Sequence, residues 1–396
     1  MLMSRAAVAL IASIAAAGAA SAHHGFGTFD LNEDIALEGT LTGIDFVNPH
    51  SWLYLDVEEA DGATTSYRCE MRGATVLRRS GWSKDMFTLG ERISVTGAPD
   101  RRDPNSCYLG TLTFASGASM DRYGQLAEAA PPDPVERPAR ADSGEPNIYG
   151  DWAPEQVVMT DPRGIVGTLV PLSTAESFEP GQVPEGAAPF PGSRGADPSL
   201  RSFATTRVPL TPRGQALADG YEDLNPEKNP RMRCESTSIL FDWTFDGMIH
   251  RIAKRDGAVV ITYGQYGLER TILMDAEHPA EVEPSRAGHS VGRWDGDVLL
   301  VDTVGFAPGI LYPPLHHGEG LHVVERYTLE PETMALRRTY TAEDPDYFFS
   351  AFEGADVVLP SPLPHAPDEC LEQSFINYAE ESQAEPATKP WWRFWE

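Results

Sequence analysis

Three side chains in the last third of this 396-residue chain have the types and setting that chemistry needs: His289, Asp302 and Glu325. Each interrupts an apolar β pattern, where a charge needs a partner or a task. His289 and Asp302 belong to G-H-S-V-G-R-W-D-G-D-V-L-L-V-D-T-V-G-F, residues 288–306. The first limb runs to Trp294, Asp297 to Val304 returns, and Asp295-Gly296 predicts a two-residue primed turn between them. Alternation puts Asp302 on the face of Val298, Leu300 and Val304. Glu325 shares a strand face with Leu321, Val323 and Tyr327, and His322 and Arg326 take the opposite one. A His289–Asp302 pair would be an acid/base dyad, with the carboxylate fixing the imidazole tautomer. If Asp302 and Glu325 both point inward, one of them holds a proton. Structural roles for the same residues are a Glu325 ion pair with Arg293, Arg337 or Arg338, Asp302 on the amides of a bulge, and Trp294 as a core plug.

A second chemistry lies near the N-terminus. Arg5, the apolar run Ala6 to Ala16 and the small-x-small site Ala20-Ser21-Ala22 read as a secretory signal over residues 1–22. Cleavage there would leave His23 with a free α-amine that chelates a metal together with its own imidazole. His24 and His50 would complete an all-nitrogen site suited to copper(II). A third group, His316, His317 and Glu319, lies in a segment, 313–320, that reads as a solvated loop. There is no G-x-S-x-G elbow, P-loop, dinucleotide fingerprint or H-E-x-x-H.

A signal sequence implies a periplasmic or secreted protein, and the four cysteines suit an oxidising compartment. Their two-by-two placement favours Cys69–Cys107 and Cys234–Cys370, and the absence of C-x-x-C argues against a redox or zinc-ribbon motif. A net charge of −28 disfavours nucleic acid and anionic membranes as partners. No segment after the signal is apolar enough for a membrane span.

These residues must be positioned by β structure. Strands are expected at Ala36 to Phe46, Ser51 to Val57, Thr64 to Met71, Arg92 to Gly97 and Tyr108 to Phe114, with a helix at Ala74 to Arg79. Three strands, a helix and two strands is the order of an OB-like barrel, assigned to residues 23–123. Residues 124–149 read as a Pro-rich linker. Thr211-Pro212 opens a short helix reaching about Tyr221. Strands at Ser238 to Phe245, Gly257 to Tyr263, Glu269 to Met274, the two limbs above, Leu321 to Leu329 and Met334 to Thr341 predict an antiparallel barrel within residues 150–380. The tail, residues 381–396, ends in Trp391-Trp392-Arg393-Phe394-Trp395, a surface for self-docking or for a protein partner.

Three resemblances add to this. His23-His24-Gly25-Phe26, Gly39-Thr40-Leu41-Thr42, Asn48-Pro49-His50-Ser51-Trp52 and Gly81-Trp82 resemble DUF6152, a family of small secreted bacterial proteins of unknown function. Gly150-Asp151-Trp152 resembles the Gly-x-Trp that opens lipocalin-like barrels. Residues 288–306, Leu321 to Tyr327 and Arg233-Cys234-Glu235 resemble a second group of uncharacterised secreted bacterial proteins, from which this chain departs around Pro313 to Gly320. The fold expected is mainly β, an OB-like barrel followed by a lipocalin-like one. The function expected is binding of a small apolar ligand in the C-terminal barrel, with Trp294, His322 and Tyr327 among its contacts and His289, Asp302 and Glu325 lining or bracing the cavity. The alternatives are proton-transfer catalysis by His289 with Asp302 or Glu325, and copper binding through His23, His24 and His50.

Overall fold

Alternating apolar and polar residues in the N-terminal unit fold into the expected strands. A computed structural model describes residues 29–30, 33–121, 136–160, 169–171, 174, 177–179, 182–183, 208–222, 225–244, 248–264, 266–367 and 370. The N-terminal elements are β1 (Ile35–Asp45), β2 (Trp52–Glu58), β3 (Thr64–Glu70), α1 (Ala74–Arg79), β4 (Arg92–Pro99), β5 (Ser106–Phe114) and β6 (Ser119–Asp121). They form a sheet in the order β3-β2-β1-β4-β5-β6. A parallel β3–β5 pairing closes the first five strands into a barrel around Leu41, Leu53, Leu55, Trp82 and Leu112. Cys69 and Cys107 are register partners in that closing pair, and a disulfide joins them. Asn48, in a cis peptide with Pro49, clamps the β1–β2 turn to α1. Its side chain donates to Thr75 Oγ1 at 3.0 Å and accepts from the Thr75 amide at 3.2 Å. Gly73 is required beneath it, since a Cβ there would lie 2.5 Å from the Pro49 carbonyl oxygen.

The C-terminal unit begins with β7 (Gly150–Pro154) and a small β8–β9 pair (Val157–Met159, Leu169–Pro171). Helices α2 (Pro212–Asp219) and α3 (Phe241–Thr244) follow, then β10 (His250–Arg255), β11 (Ala258–Thr262), β12 (Glu269–Met274), β13 (His289–Asp295) and β14 (Val298–Val304). A hairpin of β15 (Gly309–Tyr312) and β16 (Leu315–His317) precedes β17 (His322–Leu329), β18 (Leu336–Glu343) and β19 (Phe352–Pro360). A nine-stranded barrel closes in the order β10-β11-β12-β13-β14-β17-β18-β19-β7. Its closing strand, β7, carries the Gly-x-Trp. Trp152 is fully buried, donates from Nε1 to the Ile148 carbonyl at 2.8 Å, and is covered by the Arg137 guanidinium 3.8 Å from its ring centre. The second disulfide is Cys234–Cys370. No helix among the described residues is long and apolar enough to cross a membrane.

The barrel expectation holds, with local differences. Its strand pairs are antiparallel except β12–β13, which is parallel and therefore needs the crossover segment 275–288. The turn of the main hairpin is Gly296-Asp297, because Asp295 pairs with Val298. Only Gly296 has positive φ there, at 60°, which fits a type II′ turn. Residues 238–244, the described part of the strand expected at 238–245, are not a strand. Ser238 Oγ accepts from the Leu240 and Phe241 amides, and Asp242 accepts from the Thr237 amide, so this segment turns into α3. Segment 313–320 is not a solvated loop either, since it supplies the turn and second strand of the β15–β16 hairpin and buries His317.

The barrel is filled by side chains. Arg270, Glu325, Arg338, Tyr327, Trp243, Tyr263 and His250 are all fully buried. His250 shows how such a group is held. Its Nε2 bonds the Trp243 carbonyl at 3.1 Å and its Nδ1 accepts from the Gly264 amide at 3.1 Å, which fixes the neutral Nε2–H tautomer. The ring also stacks on Trp243, 4.6 Å between centres. Burial pushes its pKa down to about 3. The unfolded chain therefore binds a proton at pH values where the folded one does not, and stability contributed by neutral His250 falls as pH drops from about 6.5 toward 3. Urea unfolding across this range should show wild-type stability falling relative to His250→Gln by up to roughly 1.4 kcal/mol per pH unit. Parallel pH profiles for the two proteins would contradict this.

Candidate functional site

The outer wall of the C-terminal barrel brings together four titratable side chains. Within β13, β14 and β17, Ser290, Thr303, Val323, Glu325 and Tyr327 point inward, while His289, Asp302 and His322 point outward. Register does the rest. Asp302 is the partner of Val291 on one side and Val324 on the other, so His289 and His322 each sit one diagonal step from it on the same face. The crossover 275–288 lays a fourth residue, His278, over this position.

The contacts form a chain. His278 Nε2 meets Asp302 Oδ1 at 2.9 Å, and His322 Nε2 meets Asp302 Oδ2 at 2.9 Å. His278 Nδ1 faces His289 Nδ1 at 2.9 Å. One arrangement of neutral rings satisfies every contact. His278 and His322 donate from Nε2 to the carboxylate, and His289 donates from Nδ1 to the lone pair of His278 Nδ1. His289 Nε2 and His322 Nδ1 are then the basic ends of the chain. Burial alone would raise the Asp302 carboxyl, but hydrogen bonds from His322 and His278 bring it below the usual carboxylate range. Burial, and then the neighbouring His278, lower the His289 pKa and favour its neutral ring. The Asp302 side chain remains 40% exposed, so a small molecule can approach.

The site residues expected from sequence divide accordingly. His289 and Asp302 act in one constellation but do not touch, because His278 bridges them. His322 belongs to the same constellation. Glu325 does not. Asp302 and Glu325 lie on opposite faces of the wall, so they cannot share a proton. Glu325 is instead held between Arg270 and Arg338 (3.2 Å to Arg338 Nη1), with the Tyr327 hydroxyl donating to it at 2.8 Å. Of the three arginines proposed for Glu325, Arg338 is the partner found. Burial raises the Glu325 carboxyl, and the two guanidiniums bring it below its ordinary value. Tyr327 is buried in the bore, and Trp294 packs half-buried against the core. Neither reaches the outer cluster's face, which corrects their placement as contacts in one ligand cavity with His289 and Asp302. His23, His24 and the aromatic tail lie outside the described residues. His50 is described, and its Nδ1 is engaged by Glu70 Oε1. Among the described residues, no group of three or more His, Cys, Asp or Glu side chains is arranged to hold a metal ion.

Sequence reasoning missed His278 because its segment has no β or helical period. The available signal was a His-Pro step, His278-Pro279, just upstream of a hairpin already carrying His289. If His278 both shields and electrostatically opposes protonation of His289, the His278→Ala variant should raise the His289 pKa. NMR titration of the ring resonances would show this, and a His289 pKa unchanged or lowered by the substitution would contradict it.

Residues 10–107 match the model of DUF6152, a family of unknown function. Among curated proteins, the chain is 28% identical over 133 residues to a cobalt-precorrin-5B C(1)-methyltransferase of Methanoculleus marisnigri. That alignment takes in 32% of this chain and 39% of the methyltransferase, so the chain spans about two fifths of that relative. No solved structure matches. The DUF6152 match covers β1 to β4 and the start of β5, and it is the N-terminal unit that carries this family's sequence pattern.

Proposed function

We propose that the C-terminal barrel catalyses proton transfer on a small substrate at its outer wall. The observation that carries this reading is the His289–His278–Asp302–His322 chain, in which one carboxylate orients two imidazoles and a third, His289, meets one of them, His278. An imidazole held in one tautomer by a carboxylate is a general base with a defined lone pair. A proton taken up at His289 Nε2 can leave its Nδ1 for His278 Nδ1, creating an imidazolium against Asp302. Neutral His289 at neutral pH suits the base role. Hydration, elimination and isomerisation next to a carbonyl all need this step. Carriage of an apolar ligand in the bore is the weaker reading, since charged and aromatic side chains occupy the bore. The two disulfides support a periplasmic or secreted setting.

The reaction class is testable without knowing the substrate. Purified protein in D2O would be incubated with small ketones and 2-oxo acids, and exchange of their carbon-bound protons followed by NMR. The wild type should accelerate exchange of at least one compound, and Asp302→Asn and His278→Ala should each lower that rate by about 100-fold with melting temperature retained. No acceleration across the panel, or exchange undiminished in Asp302→Asn, would count against the proposal.

A further inference from the structure

We propose that a cleft beside the barrel, distinct from the histidine–aspartate chain, binds a small organic carboxylate with a short apolar body. The cleft has a volume of about 560 Å³ and is bounded by α2, the Pro230–Arg233 turn and the β15–β16 hairpin. Small-molecule sites typically enclose roughly 300–1,000 Å³.

Its charge is the first argument. The chain carries 59 acidic and 31 basic residues. Basic side chains are concentrated in this lining, where Lys228, Arg233 and Arg286 stand beside Glu227. Arg233 donates from Nε and Nη2 to the Glu235 carboxylate, both at 3.1 Å, and Arg286 Nη2 donates to the same carboxylate at 2.8 Å. Two guanidiniums on one carboxylate leave this trio with net positive charge. Arg286 is further fixed by donation from Nη1 to the Ser236 carbonyl. Lys228 is paired with Glu222 and adds little net charge. Fixed guanidiniums are suited to carboxylate recognition because little side-chain entropy is left to lose.

A buried hydroxyl is the second argument. Thr237 lines the cleft with only 4% of its surface exposed, and its Oγ1 has no hydrogen-bond partner among the described residues. A buried hydroxyl left unsatisfied is destabilising, so a ligand that accepts from it gains by doing so. A carboxylate oxygen seated in the cleft would accept a hydrogen bond from it. The apolar part of the lining supplies the third argument. Leu217 is 40% exposed on α2, and with Ile310 and Pro308 it offers a surface for a short alkyl or aryl body. His316 and His317 bond the Pro314 and Gly318 carbonyls through Nδ1, and burial lowers both pKa values, so they stay neutral. The ligand's charge is therefore met on the arginine side.

Octanoate and octan-1-ol, titrated calorimetrically into the full-length protein, test this. Octanoate should bind at least about tenfold more tightly than the alcohol. Thr237→Val and Arg286→Gln should each weaken octanoate binding about tenfold or more. Leu217→Trp, at a half-exposed position where refolding of the core is not required, should block it while leaving the melting temperature unchanged. This variant keeps the question answerable if Arg286→Gln fails to fold. Absence of octanoate binding, equal binding of the alcohol, or binding indifferent to Leu217→Trp would overturn the proposal.

Discussion

The C-terminal barrel depends on one buried ion cluster, Arg270–Glu325–Arg338. It spans β12, β17 and β18 with all three side chains fully buried, so no water is available to replace a missing partner. Burial disfavours each charge, and their mutual attraction offsets it only because nearly every arm is engaged. Arg270 donates to Ser290 Oγ at 2.8 Å and Thr303 Oγ1 at 2.6 Å as well as to Glu325. Arg338 reaches Asp356 on β19 at 2.7 Å and donates to the Ile239 and Leu240 carbonyls at 2.9 and 3.1 Å. The cluster thus ties six barrel strands to the turn that leads into α3. Such a network specifies register, since a one-residue slip of β17 would turn Glu325 out to solvent.

Filling the bore in this way moves the available chemistry outward. The alternation that buries Ser290, Thr303 and Glu325 is the same alternation that exposes His289, Asp302 and His322. The inner and outer faces of β13, β14 and β17 are therefore coupled by geometry, with stability on one side and proton handling on the other. The parallel β12–β13 step adds the missing element. A parallel connection must travel the length of the strands, and this one carries His278 to Asp302 on the way.

Much of this was legible in the residues. Period-two alternation located most strands, the N-terminal element order gave the OB-like barrel, and the cysteine placement gave both disulfide pairs. Alternation also placed Asp302 correctly with Val298, Leu300 and Val304, and Glu325 opposite His322. It does not say which face is inside when both are largely apolar, so alternation alone allows Asp302 and Glu325 to share one cavity. β10 and β19 were missed because charged residues and glycine dilute their patterns, as in H-R-I-A-K-R and F-E-G-A-D-V-V-L-P. Residues 238–245 look like a strand, but the local bonds of Ser238 and Asp242 outweigh that propensity. His278 was invisible because its position depends on a crossover, and crossovers have no local period.

Glu325 holds the barrel together, while Asp302 stands at the outer wall and serves the imidazoles. Urea unfolding of Glu325→Gln and Asp302→Asn, side by side with the wild type at neutral pH, tests this division most directly. Removing the Glu325 charge leaves the buried Arg270 guanidinium without a carboxylate among the described residues and should cost about 3–5 kcal/mol. Removing the half-exposed Asp302 charge should cost less than about 1 kcal/mol. Equal losses, or a larger loss in Asp302→Asn, would contradict the account.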